Sequence, residues 1–194
     1  SAVDHDSLSQ EINDVEIKTA MFSLNRKSAR GPDGFDAEFF YACWDIVKIE
    51  VLRAVKNFFK NTKLISSFNN TNIALIPKVN NTHKVSSFRP ISCFNTIYKC
   101  ISKIIASRMK SVMPNLISSN QAAFLLGRNI LDNVLLAHEL LNGYKNKISS
   151  PRAMLKFDIM KAFDMLQWKT VERVMQYMNF PASFIAWIVE CIST

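Results

Sequence analysis

The chain has 194 residues, 48% hydrophobic and 11% aromatic, enough to bury a core of about one domain. With only 4 Gly and 6 Pro it is no low-complexity or linker-rich protein, it has no apolar run long enough to cross a membrane, and no secretory signal pattern opens it. Its formal charge of +8 points to an anionic partner, and Ser1 in place of Met points to a fragment or a processed chain.

The charge is unevenly placed. Residues 1–16 carry five acids and no Lys or Arg, whereas no acid occurs between Glu50 and Asp132. That interval holds twelve cations: Arg53, Lys56, Lys60, Lys63, Lys78, Lys84, Arg89, Lys99, Lys103, Arg108, Lys110 and Arg128. One-signed charge on this scale suits a phosphate-tracking surface, because neutralising phosphates releases counterions. A solvated basic face without a ligand is the alternative.

In chain order, residues 7–27 read as a helix, with Ile12, Val15, Ile17, Met21, Phe22 and Leu24 recurring at three- and four-residue steps. Arg30-Gly-Pro-Asp-Gly34 is a turn. Residues 36–60 predict one or two helices, and Thr71-Asn-Ile-Ala-Leu-Ile-Pro77 a strand ended by its proline. A loop over 79–90 and a long helix over 91–113, stopped by Pro114, follow. Within it the row Ile101, Ile104, Ile105, Met109 and Val112 is expected to be core. Another helix covers 130–145 and closes near Gly143, its Leu131, Val134, Leu135, Leu140 and Leu141 also expected in the core. Helices over 165–178 and 182–192 end the chain.

Cys43, Cys93, Cys100 and Cys191 and the histidines at 5, 83 and 138 lack ligand-like spacing, which argues against a zinc site and for a reduced, intracellular setting. Cys93 and Cys100, seven apart, are expected on one helix face.

Alternation at Ala153, Leu155 and Phe157 predicts a buried strand that delivers Asp158 to its end. Aspartate is a poor strand former and costly to bury unless paired or holding a cation, and magnesium is commonly held by one or two carboxylates plus phosphates. A plain helix N-cap at Asp158 is the alternative.

Phe157-Asp-Ile-Met-Lys-Ala-Phe-Asp164 resembles the first palm motif of reverse transcriptases, in the form found in plant non-LTR (LINE-type) retrotransposons. The resemblance implies that Asp158 coordinates the two catalytic magnesium ions. It also implies that Ile159, Met160, Lys161 and Ala162 wrap the triphosphate, and that Phe163 lies beneath the incoming sugar and rejects a 2'-hydroxyl. Asp164 matches a second acid of the motif without a metal role. Lys27-Ser-Ala-Arg-Gly-Pro-Asp-Gly-Phe35 with Glu38-Phe-Phe40 resembles the block before the fingers, though the family more often has proline where Arg30 stands; an interhelical turn is the alternative. Ile73-Ala-Leu-Ile-Pro-Lys78 and Phe88-Arg-Pro-Ile-Ser92 are similar to two fingers motifs, which makes Lys78 and Arg89 the cations that close over the triphosphate rather than plain surface charges. Asn120-Gln-Ala-Ala-Phe-Leu-Leu-Gly-Arg128, running to Asp132-Asn133, resembles the template-grasping segment. There Gln121 would read a base edge or backbone, Phe124 pack beneath a base or sugar, and Arg128 hold a phosphate; a loop with a helix start is the alternative.

Five blocks in family order cover essentially the whole chain. They imply an α+β fold of mostly helical fingers plus an incomplete palm, divided as an N-terminal extension (1–34), a fingers-like region (35–150) and the start of the palm (151–194). The implied partners are an RNA template, a DNA primer and deoxynucleoside triphosphates, with no membrane, and the implied location is intracellular and nuclear. No adjacent pair of aspartates occurs in the sequence. Two-metal nucleotidyl transfer needs more carboxylates than Asp158, so the chain alone is expected to be inactive. A non-enzymatic nucleic-acid-binding remnant and a decayed product are the rival readings.

Overall fold

The computed structural model describes residues 5–125, 127–142, 155–157 and 165–193, and these form a mostly helical α+β protein with one two-stranded sheet. The expected first helix is two: α1 (His5–Ser9) and α2 (Asp14–Phe22). Asn13 is the reason. Its backbone is extended and its side chain accepts the Glu16 N–H at 2.8 Å, a local bond that restarts the helix, while Leu8 and Ile12 bury on either side of the break.

Residues 36–60 yield two helices, α3 (Ala37–Ala42), capped by Asp36, and α4 (Trp44–Asn61). Val51, Val55 and Phe58 repeat at helical spacing on the buried stripe of α4, and Thr62 ends it in the left-handed region. After short α5 (Ser66–Asn69), β1 (Thr71–Pro77) pairs antiparallel with β2 (Phe88–Phe94), in register from Thr71 opposite Phe94 to Pro77 opposite Phe88.

β2 corrects the reading of 79–90 as loop and of 91 as a helix start. Pairing with β1 across the chain overrides the helix-like spacing of Ile91, Phe94 and Ile97, and a two-stranded ribbon tolerates Pro90 because each strand has a free edge. The helix proper, α6 (Thr96–Leu116), starts after Asn95. It runs through Pro114 instead of stopping there, because a proline in the last turn removes a single N–H while Ile117 N–H still reaches Met113 O at 3.1 Å. Cys93 therefore lies on β2 and Cys100 on α6, not on a common helix face. Burial pushes the Cys100 thiol up to about 12.

The core forms around α6, whose Ile97, Cys100, Ile101, Ile104, Ile105 and Val112 are buried as it packs on α2, α4 and the last helix. The expected row is thus core, with Met109 half-buried. The opposite holds for α7 (Ile130–Leu141): Leu131, Val134, Leu135, Leu140 and Leu141 are all exposed, because among the described residues no other element covers this face. Helices α8 (Trp168–Tyr177) and α9 (Ala182–Ser193) close the described chain, and Trp187 of α9 donates its indole N–H to Phe59 O at 3.0 Å. Residues 155–157 are neither strand nor helix, and Leu155 and Phe157 are exposed, which departs from the buried strand expected there; Ala153 and Asp158, the ends of that expected strand, lie outside the described residues.

The Arg30-Gly-Pro-Asp-Gly34 turn docks on the start of α6. Asn95, 2% exposed, takes the Asp33 N–H on its side-chain oxygen and donates to Ser67 O at 2.8 Å, while Thr96 donates to Phe35 O at 2.9 Å. Gly31 fits because it has no Cβ: one built there would sit 2.5 Å from Asn95 N and 2.6 Å from its Cα.

Candidate nucleotide and nucleic-acid interface

The β1–β2 ribbon is solvated on most of its length, and the end closed by the 78–87 connection carries two cations. Lys78 extends the ladder one step beyond Pro77 by donating its N–H to Ser87 O at 2.8 Å. Side chains alternate along a strand and directly paired residues share a face. Arg89 pairs with Ile76, and Lys78 lies two residues beyond Ile76, so Lys78 and Arg89 stand on one face as diagonal neighbours. The Lys78 ammonium donates once, to Ser86 O at 2.9 Å, and keeps two donors. Arg89 is exposed and its guanidinium has no partner among the described residues.

A second group forms where α6 ends. Gln121 closes a turn through its N–H on Ser118 O at 3.1 Å, and its side-chain amide donates to Ala123 O at 3.3 Å. Phe124 follows with φ +64° and its side chain 99% exposed. A bulky residue with positive φ and no cover for its ring is costly on both counts, a combination that gathers at binding sites. Arg128 turns inward instead: Nη1 donates to Ser118 O and to Gln121 O (2.7 Å), and Nη2 to Pro114 O (2.9 Å) and Ile117 O (3.0 Å). Asn133 of α7 donates to Asn120 O at 3.0 Å and holds the loop from the other side. Asp158, Ile159, Met160, Lys161, Ala162 and Phe163 lie outside the described residues, as does Asp164.

The acid-free interval is less one-sided in three dimensions. Arg53 pairs with Glu50, Lys56 with Asp14, and Arg108 with Glu16, so the acidic N-terminal segment folds back on the basic one. Lys99 donates to Ala29 O, and Arg128 to the four carbonyls above. Lys60, Lys63, Lys84, Arg89, Lys103 and Lys110 remain without an ionic partner among the described residues and are exposed, beside Lys78. Asn95 and Arg108 escaped the sequence reading as organisers. An Asn directly before an apolar helical row is the signal that marks the first; nothing local marks the second. Among the described residues no group of three or more His, Cys, Asp or Glu is placed to hold a metal ion.

Exposed cations on a solvated ribbon can meet phosphates, and an aromatic ring held out on a separate loop can stack on a base. Residues 76–194 match the family described as reverse transcriptase (RNA-dependent DNA polymerase), and the chain belongs to that family of metal-dependent polymerases. The match begins inside β1 and takes in Lys78, Arg89, the Gln121 to Arg128 loop and Asp158. The chain is also 30% identical over 173 residues, 89% of its length, to the "Transposon TX1 uncharacterized 149 kDa protein" of Xenopus laevis, and it spans 13% of that relative.

Proposed function

We propose that this chain supplies the fingers and the opening of the palm of a plant LINE-type (non-LTR) reverse transcriptase, which copies element RNA into DNA from deoxynucleoside triphosphates. The observation that carries the reading is the common face of Lys78 and Arg89. A triphosphate laid against that face meets a compact ammonium and a planar guanidinium fork, and both stabilise the charge that collects on the leaving pyrophosphate. Residues 1–34 are then an extension, 35–150 the fingers region and 151–194 the palm opening. Gln121 and Phe124 meet the template, Ile159, Met160, Lys161 and Ala162 follow the triphosphate, and Phe163 selects the deoxy sugar.

Asp158 is the proposed carboxylate for magnesium, which when bound stabilises charge at the phosphoryl centre and activates the primer hydroxyl. The 194 residues contain no adjacent aspartates, so the chain by itself is proposed to bind substrates without polymerising. Copying primed at chromosomal DNA puts the work in the nucleus.

The test is titration of the purified chain with a fluorescently labelled deoxynucleoside triphosphate at low salt. Lys78→Ala/Arg89→Ala should weaken binding at least about tenfold, the scale of removing one charge-assisted hydrogen bond, with the fold intact by circular dichroism. Equal affinity in the double variant would remove the two cations from the nucleotide site. Template-dependent incorporation by the chain, abolished by Asp158→Ala, would overturn the proposed inactivity.

A further inference from the structure

We propose that Arg128 is a positioning residue: it fixes the turn that presents Phe124 to the template strand and does not itself hold a phosphate. The proposal deepens the template-contact reading of Phe124 given above and rests on it.

All four N–H groups on the two terminal nitrogens of Arg128 point to backbone carbonyls, those of Pro114, Ile117, Ser118 and Gln121. Bidentate recognition of a phosphate needs two parallel N–H groups, and a guanidinium has five in all. A single N–H, on Nε, is left over.

Those carbonyls belong to the end of α6 and the turn beyond it. Helix α6 ends at Leu116, and the last carbonyls of a helix have no partner inside it. Pro114 O belongs to that last turn, Ile117 O to its cap, and Ser118 O and Gln121 O to the turn that leads into the loop. One planar side chain therefore joins the helix end to the loop entrance. Lysine, with three donors on a point-like head, cannot reproduce four bonds spread across a plane.

The loop is thereby pinned on both sides of Phe124. Arg128 N–H reaches Leu125 O at 3.4 Å over Gly127 at φ +76°, while its side chain returns to Gln121 and Asn133 holds Asn120. Phe124 lies between these anchors, in the left-handed region and almost fully exposed. Such a conformation persists when its surroundings over-determine it. A ring held outward before the ligand arrives is a preformed stacking platform for a base, which lowers the ordering cost of binding.

The test uses the full chain and four forms: wild type, Arg128→Lys, Arg128→Ala and Phe124→Ala, with Arg128→Lys also placed in the Phe124→Ala background. Amide hydrogen exchange of the free protein comes first. Arg128→Lys should speed exchange across residues 117–128 while the centre of α6 stays protected; unchanged exchange in the loop overturns the proposal whether or not RNA binds. Affinity for a uridine dodecamer is then measured against salt. Phe124→Ala and Arg128→Lys should each weaken binding about tenfold, in the range set by one base–aromatic stack, with the salt slope unchanged. Arg128→Lys should add nothing when Phe124 is already alanine. A slope that falls by about one in Arg128→Ala and returns in Arg128→Lys marks a direct phosphate contact and overturns the proposal. No binding by the wild type overturns the template role of Phe124, and the exchange result then decides the role of Arg128 alone.

Discussion

The guanidinium of Arg108 in α6 meets the carboxylate of Glu16 in α2 fork to fork, Nε to Oε1 and Nη2 to Oε2, both at 2.8 Å. Its remaining terminal nitrogen donates to Leu8 O at 3.0 Å and Gln10 O at 2.6 Å. One side chain, 8% exposed, thus fastens the break between α1 and α2 to the central helix. Removing one partner of a buried, hydrogen-bonded pair costs about 3 to 5 kcal/mol, mostly from the polar groups left behind. Arg108→Ala is expected to lose stability on that scale in urea unfolding. A double-mutant cycle with Glu16→Ala should give coupling above about 1 kcal/mol, and additive losses would show that the pair contributes nothing specific.

Gly31 faces a different constraint, the backbone of Asn95. A methyl group there has to displace the Asn95 main chain as well as its side-chain oxygen. Overpacking of this kind costs about 1 to 3 kcal/mol, so Gly31→Ala should lower the melting temperature by several degrees. Gly34→Ala is the useful comparison, because Gly34 has open space but φ +79°. Its loss would come from backbone strain alone and is expected to be smaller, about 1 kcal/mol.

Asp36 links stability to acidity. The Phe39 N–H at the start of α3, followed by the Arg30 side chain, holds its carboxyl below the ordinary 3.8. A folded-state value below the unfolded one means the contribution is complete above the unfolded value and is lost as pH falls through the folded one. The melting temperature should therefore drop as pH falls below about 4. Asp36→Asn, which keeps a capping oxygen but cannot titrate, should show a shallower drop. The same pH profile in both proteins would assign the acid sensitivity to other carboxylates.

The exposed face of α7 and the buried face of α6 predict opposite outcomes for similar substitutions. Ile104→Ala, at 1% exposure, should cost about 2 to 5 kcal/mol. Leu135→Ala, at 65% exposure, should change stability by less than about 0.5 kcal/mol. A large loss at Leu135 would mean that α7 is covered in solution.

The contrast between α6 and α7 shows how far local pattern carries. Both have apolar residues at helical spacing, and both form helices, since that signal depends on neighbours three and four residues away. Burial depends on what else reaches the face. For α6 that is α2, α4 and α9; for α7 the sequence offers no means of telling. The missed strand β2 has the same origin, since its pairing is with residues 71–77 and not with its own helix-like continuation.

The sequence by itself determined the family blocks, the first strand, most of the helices and the concentration of positive charge between Glu50 and Asp132. The tertiary structure alone decided which of those charges remain available. Asp14 and Glu16 neutralise Lys56 and Arg108 from distant parts of the chain, the register of the ribbon sets Lys78 beside Arg89, and the end of α6 claims Arg128. The reason is physical. Helix propensity and charge composition are properties of short windows, whereas a side chain's partner is chosen when burial of the α6 core brings together segments tens of residues apart.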